Sequence, residues 1–416
     1  MRHPAPPGGR DFSDADPAAT TWLAALLASL AMIGPFSIDT YLPAFPAMGA
    51  ALGATPLEIQ QTLTAYLAPF AVMMLWHGAI SDALGRRRVI LAGLAVYAAS
   101  SLLCALAPSI EYLLLGRALQ GISAGAGMVV GRAVVRDLHE GPAAQRLMAH
   151  ISMMFAIGPA IAPILGGWIH SLFGWQGIFV FLALLGAALW LAVLLRLPET
   201  LPAAQRQSMH PAHLWHSYVH VLSNGEFIRL SAALTCNFNG MFLYVLSAPV
   251  FLIEHLGLTS QDFAWLFVPC VAGMMLGAFL SGRLAGRLSA RRTISLGYVL
   301  MIVAVAANLA LNLATAPALP WAILPLPVYT TGMALAVPSL QLLALDLYPE
   351  RRGLASSCQG AVQTGTSAFT AAILAPLLWA SPLTLALGMA GFMALGLITF
   401  LIALRHYRRS DASRQP

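Results

Sequence analysis

The sequence predicts an all-α integral membrane protein of twelve transmembrane helices, arranged as two pseudo-symmetric six-helix bundles. Three observations carry this. Hydrophobic residues make up 59% of the 416 and charged residues 9%, too few charges to cover a water-facing surface. Apolar runs of roughly 20 residues or more recur along almost the whole chain, each long enough to cross a hydrocarbon core about 30 Å thick. The arginines, finally, return on alternate connections between those runs.

In chain order the runs fall near 20–45, 57–80, 88–107, 111–134, 145–170 and 175–196, then 226–252, 260–284, 293–314, 319–346, 353–378 and 382–404. Long unbroken apolar runs, without the alternation of membrane barrels, make these helices. The first is too long for a signal-peptide core, and the Pro-rich residues 1–19 before it are unlike a basic leader, so it is expected to stay as a span.

All 22 basic residues are arginine. Arg86 to Arg88, Arg132 to Arg146, Arg196 to Arg229, Arg283 to Arg292, Arg351 with Arg352, and Arg405 to Arg414 occupy one set of connections, whereas the other set holds Glu58, Glu111, Glu254 and Asp262. The positive-inside rule then places both termini in the cytoplasm, as an even number of spans requires. The net charge of +6 is thereby a matter of topology, and no nucleic-acid partner is expected. The long polar connection at 197–225 separates a bundle at 20–196 from one at 226–404, with cytoplasmic tails at 1–19 and 405–416. The loops "GAISDALGRRRVI" and "GRLAGRLSARRTI" align Gly78 with Gly282, Arg87 with Arg291 and Arg88 with Arg292. Such weak symmetry marks transporters that rock two bundles about a central site.

The absence of lysine excludes a Walker phosphate loop and Schiff-base chemistry. Cys104, Cys236, Cys270 and Cys358 lie in predicted spans at no metal-ligand spacing, which suits packing. No nucleophile–base pair or metal cluster stands out, so neither an enzyme nor a metal or cofactor is expected. Uphill transport would then draw on an ion gradient or a partner subunit. "HPAHLWHSYVH" carries His213, His216 and His220, and with Trp215 and Tyr218 it predicts a short amphipathic helix on the cytoplasmic membrane surface in preference to a metal site.

Several stretches carry chemistry. "GPFSIDTYLPAFP" sets Asp39 inside span 1, between Pro35 and Pro43. Arg117 is the one arginine deep in a predicted span; at 1.5 Å per residue both it and Asp39 lie roughly 9 Å below the same end, where they would face each other. Burial and a neighbouring cation act on a carboxyl's ionisation in opposite senses, which suits a proton site. The alternative for each is a charge that marks the outer interface. Gly121, Gly125, Gly127 and Gly131 let span 4 approach a neighbour closely. Pro159 and Pro163 invite a bend in span 5, with Gly166 and Gly167 beyond them. Tyr41, Tyr66, Gln120, Met153, Met154, Asn237, Asn239 and Gln363 are the candidate cavity residues. Flexible apolar side chains with a few amides suit varied lipophilic molecules.

Taken together, "SIDTYLPAFP", "GAISDALGRRR", "GRALQGISAGAG", "GRAVVRDL", "APILGGW" and "LPET", in that order, resemble the major facilitator superfamily, and within it the Bcr/CflA-type twelve-span multidrug efflux drug:proton antiporters. The resemblance implies a monomer in the bacterial inner membrane that works by alternating access, with the proton as coupling ion and chloramphenicol- or bicyclomycin-like drugs as substrates. It implies proton coupling at Asp39 and Arg117. Gly78, Asp82, Gly85, Arg86 and Arg87 become a cytoplasmic latch between the halves, with Arg132 as partner to Asp82. Pro159, Pro163, Gly166 and Gly167 become the antiporter bend motif that seals against leak. Ala83 replaces the family's usual basic residue, Ala162 its usual glycine, and Gly286 stands opposite Asp82 in the second copy, so any latch is asymmetric. A proton-coupled importer and a dedicated metabolite exporter share the fold and stay open as readings. A receptor or enzyme without transport is the more distant rival.

Overall fold

The structure is a computed structural model that describes residues 17–139, 141–206 and 211–412. Readings made for residues 1–16 and 413–416, and for the side chain of His213, lie outside the described residues. The first half comprises α1 (Pro17–Asp39), α2 (Phe45–Leu52), α3 (Pro56–Leu84), α4 (Arg86–Ala105), α5 (Ile110–Leu138) and α6 (Gly141–Arg196). A connecting helix, α7 (Pro211–Leu222), leads to the second half: α8 (Gly225–Leu246), α9 (Ala264–Leu284), α10 (Ala290–Ala314), α11 (Pro325–Leu345), α12 (Arg352–Phe369), the single turn α13 (Ala375–Leu378) and α14 (Pro382–Ala412).

Ten of the helices among the described residues are long and apolar enough to cross a membrane, and α8 with the π-helical Pro249–His255 forms an eleventh, bent by 46°. One of the ten, Ile151–Arg196, runs 46 residues, about 69 Å at 1.5 Å per residue, twice a bilayer core. Gly174 breaks it, with φ 71° and ψ −179°, a conformation that glycine alone adopts without strain, so α6 is two limbs corresponding to spans 5 and 6.

Local chemistry explains the other boundaries. Thr55 and Glu58 form a capping box ahead of α3, with Pro56 at its first position. Asn224 accepts from the amides of Glu226 and Phe227 to start α8. The first span differs from the expected continuous run to residue 45. It passes through Pro35 but stops at Asp39, and a 3₁₀ turn, Leu42–Ala44, precedes α2. Pro43, lacking an N–H, cannot continue the helix. In α6, by contrast, the helix runs through Pro159 and Pro163, and its non-helical residue is Gly174.

Within each half the same packing recurs. In the first, α3 packs on α5; in the second, α9 packs on α11. A methyl added to Gly121 would clash with the Tyr66 carbonyl, and one added to Gly273 with the Pro327 carbonyl, so both pairs approach backbone to backbone. The halves meet along two seams, α3 against α12 and the first limb of α6 against α9. α7 reaches across at the arginine-bearing end. It packs on α12 and α8, while its Tyr218 hydroxyl donates 2.5 Å to the Leu75 carbonyl of α3. Burial pushes that phenol up to about 12. Trp215, one turn before Tyr218, is exposed. Among the described residues no group of His, Cys, Asp and Glu is arranged to hold a metal.

Candidate functional site: a cavity between the halves

Arg117 is fully buried, and the structure resolves how it is tolerated. Its guanidinium lies between two aromatic rings, 4.4 Å from the centroid of Tyr41 and 4.5 Å from that of Tyr66. Nη1 donates to Gln120 Oε1 at 2.6 Å and Nε to the Thr62 carbonyl at 3.4 Å; Gln120 passes the chain on to Ser101 at 2.7 Å. Two π faces and two acceptors replace water for the planar cation. Tyr41 is fixed in turn by its hydroxyl contact with Thr62 at 3.0 Å. This cluster sits inside the first half, away from the cavity wall.

Asp39 does line the cavity. It is 3% exposed, and its Oδ1 is buried with no hydrogen-bond partner among the described residues. No ion pair joins it to Arg117 within 4.0 Å among the described residues, so the expected face-to-face pair does not form. Tyr66 is the intermediary: it stacks on Arg117, interacts electrostatically with both charges, and its ring pairs with Phe70, which lines the cavity beside Asp39. The break in α1 is what ends the helix at this carboxyl.

The cavity, about 360 Å³, runs between the halves. Its wall is mostly apolar, with five phenylalanines, Phe70, Phe155, Phe238, Phe242 and Phe267, and five methionines, Met74, Met128, Met241, Met274 and Met333. Among the described residues Asp39 is the one acid and Arg132 the one base on it. The end opposite the arginines is sealed. There Gln60 Nε2 donates to the Ala371 carbonyl at 3.4 Å and Gln61 Nε2 to that of Ala372 at 3.1 Å, across the α3–α12 seam. In the α6–α9 seam Gly167 lies against the Ser260 carbonyl and Gly166 against the Thr40 carbonyl at the α1 break; a side chain at either would collide with backbone. The hydroxyl and amide of Thr259 donate to Asp262 Oδ2 at 2.6 and 2.9 Å, which stiffens the Ser260 loop and holds the Asp262 carboxyl below its usual range.

The other predicted residues are distributed as follows. Gln363 and Pro159 line the cavity; Tyr41, Tyr66, Gln120, Met153, Met154, Asn237 and Asn239 do not. Met153 is exposed on the bundle surface. Asn237 packs inside the second half, its Nδ2 donating to Tyr298 at 3.1 Å and its backbone carbonyl accepting from Tyr329 at 3.0 Å, while its Oδ1 has no partner among the described residues. Asn239 donates to the Thr235 carbonyl at 3.0 Å and accepts from Thr370 at 3.1 Å. Pro163, like Gly166 and Gly167, is buried in packing. The latch is also rearranged. Asp82 pairs with Arg86, which also reaches Asp137 at 3.0 Å and Ser81 at 2.6 Å, and Glu199 of "LPET" caps the Arg86 amide at 2.8 Å. Gly85, φ 102°, supplies the turn, and Arg87 donates to the Leu194 carbonyl at 2.5 Å; Gly78 lies near Val129 of α5. This network ties the first half together, and Arg132 belongs instead to the cavity wall. The cavity residues that sequence reasoning missed have a visible spacing: Ala124, Met128 and Arg132 follow at four-residue steps on α5, as do Ser356, Gly360 and Thr364 on α12.

The comparisons with known proteins agree with this architecture. The family description Major Facilitator Superfamily matches residues 26–371. The uncharacterized MFS-type transporter YdgK of Bacillus subtilis (strain 168) is 32% identical over 342 residues, covering 81% of this chain and 84% of that protein. Multidrug resistance protein MdtL of Escherichia coli (strain K12 / DH10B) is 28% identical over 335 residues, 80% and 83% of the two chains. The solved structure of a bacterial homolog to the human lysosomal transporter Spinster, inward-facing and unoccupied, superposes with a TM-score of 0.69 at 18% identity, over 97% of this chain and 99% of the other, and so supports the fold. With two bundles, a central cavity and a family match over most of its length, the chain belongs to the Major Facilitator Superfamily and is a multi-pass membrane transporter.

Proposed function

We propose that the protein is a proton-coupled antiporter that exports small, mostly lipophilic drugs, chloramphenicol- or bicyclomycin-like, from a bacterial inner membrane. The observation that carries this reading is one buried carboxyl, Asp39, with a free oxygen on the wall of a mostly apolar cavity. A carboxyl so placed exchanges a proton with whatever occupies the cavity, by direct competition with a cationic drug or by altered desolvation with a neutral one. The similarity to multidrug resistance protein MdtL supports a drug as cargo.

The coupling ion is the proton, with no resident cofactor. Both termini are cytoplasmic, which makes the arginine-bearing end the inner one and the sealed end the outer one. About 100 mV supplies roughly 2.3 kcal/mol per proton, and one pH unit about 1.4 kcal/mol more, together enough for a several-hundredfold drug gradient. The protein acts as a monomer, since each has its own cavity.

The test uses purified full-length protein in proteoliposomes with an imposed pH gradient. Chloramphenicol is expected to accumulate on the side from which protons leave. Accumulation in the same direction as proton flow identifies an importer, and accumulation that ignores the gradient sinks proton coupling.

A further inference from the structure

The cavity has a charged group at each end, and only one has been given a task. Arg132 is exposed to the cavity and makes no hydrogen bond or ion pair among the described residues; its electrostatic neighbour is another cation, Arg136. Gln359, also on the wall, is 3% exposed, and its Nε2 is buried without a hydrogen-bond partner. Two donors on one cavity thus lack an acceptor.

They lie at one height. A methyl added to Gly353 of α12 would be 3.3 Å from Arg136 Nη1, so the Arg136 side chain of α5 reaches α12 at that level. From that level Arg132 is four residues along α5, about 6 Å, whereas Ser356 and Gln359 are roughly 4.5 and 9 Å along α12 in the same direction. Asp39 is far away. A methyl added to Gly127 would be 3.2 Å from Leu30 Cβ, and fourteen residues of helix from that crossing separate Asp39 and Arg132, about 21 Å. At that separation Arg132 does not neutralise Asp39.

We infer that Arg132, Gln359 and Ser356 form an anion-binding subsite at the arginine-bearing mouth of the cavity, which takes the carboxylate of an amphiphilic organic acid whose apolar body rests on the methionine and phenylalanine wall. A buried donor without an acceptor is costly, and a guanidinium fork matches a carboxylate in geometry as well as charge. This extends the substrate class of the proposed exporter to lipophilic acids and rests on that reading only for the direction of transport.

The test is a matched pair of ligands, 1-naphthaleneacetate and its neutral amide, titrated into the full-length protein in nanodiscs at pH 7.5. The acid is expected to bind at least tenfold more tightly than the amide. Arg132→Gln abolishes that preference, with an unchanged thermal unfolding midpoint in nanodiscs showing that the variant is folded. Gln359→Leu weakens acid binding two- to fivefold. Equal binding of acid and amide, or an acid preference that survives Arg132→Gln, overturns the subsite. Stabilisation by phosphatidylglycerol that needs Arg132, without any acid preference, assigns the mouth to lipid and likewise overturns it. The binding readout involves no proton gradient, so an intact acid preference without proton-linked transport sinks the proposed function alone.

Discussion

Gly167→Ala tests the seal at the end opposite the arginines. A methyl built on Gly167 lies within the 3.0 Å of the Ser260 carbonyl oxygen that real Cβ atoms respect, so something must move by more than half an ångström. The obstacle is backbone, in a loop stiffened by Asp262, and has no rotamer with which to escape. Overpacking of this kind costs about 1–3 kcal/mol, and the cost falls on the arrangement that presses α6 against α9. The equilibrium between closed and open states at this end should shift roughly 5- to 150-fold toward open. Spin labels at exposed Leu57 on α3 and at Glu254 beyond α8 report that distance in the protein with its native cysteines replaced. The variant should populate a longer distance, whereas Gly391→Ala, with open space around the glycine, should not. A Gly167→Ala distribution identical to the wild type would refute the argument that this contact closes the cavity.

Three further outcomes follow from other contacts. Arg117→Lys keeps the charge but loses the planar stack on Tyr41 and Tyr66, and thermal unfolding in detergent should show a loss of about 1–3 kcal/mol; unchanged stability would mean the rings do not hold the cation. Glu199→Ala removes the acceptor for the amides of Arg86 and Leu201, a capping loss of about 0.5–2 kcal/mol, seen as faster hydrogen exchange in the first turn of α4. Tyr218→Phe deletes the hydrogen bond from α7 to the Leu75 carbonyl, worth about 0.5–1.5 kcal/mol, and should speed exchange across Pro211–Leu222 while leaving α8 protected.

The spans were legible because run length and arginine placement are one-dimensional signals: α3, α4, α5, α9 and α10 begin and end near the apolar boundaries. Breaks inside runs were less so. Pro43 read as a bend within a span running to residue 45, yet α1 stops at Asp39, and Gly174 looked like any interhelical glycine until its φ was seen. The site divided along a different line. Asp39 stood out because an acid in an apolar run has few structural uses, and it does face the cavity. Which of the other polar residues face it depends on helix rotation, and in helices apolar on nearly every side the sequence carries little rotational signal. Asn237 and Asn239 therefore passed as cavity residues, although Tyr298, Tyr329 and Thr370 occupy them, partners that lie far away in sequence. Arg132 passed as a latch residue because it sits near a helix end, and only the four-residue step from Met128 assigns it to the cavity.

The central claim is that Asp39 carries the proton that drives export, and Asp39→Asn tests it most directly. Proteoliposomes loaded with a pH-sensitive dye report proton movement when chloramphenicol is added, and labelled drug reports transport. The account predicts that the asparagine variant, folded and still able to bind drug, moves no protons on drug addition and carries drug only down its gradient. Proton-linked uphill transport at the wild-type rate in that variant would contradict it.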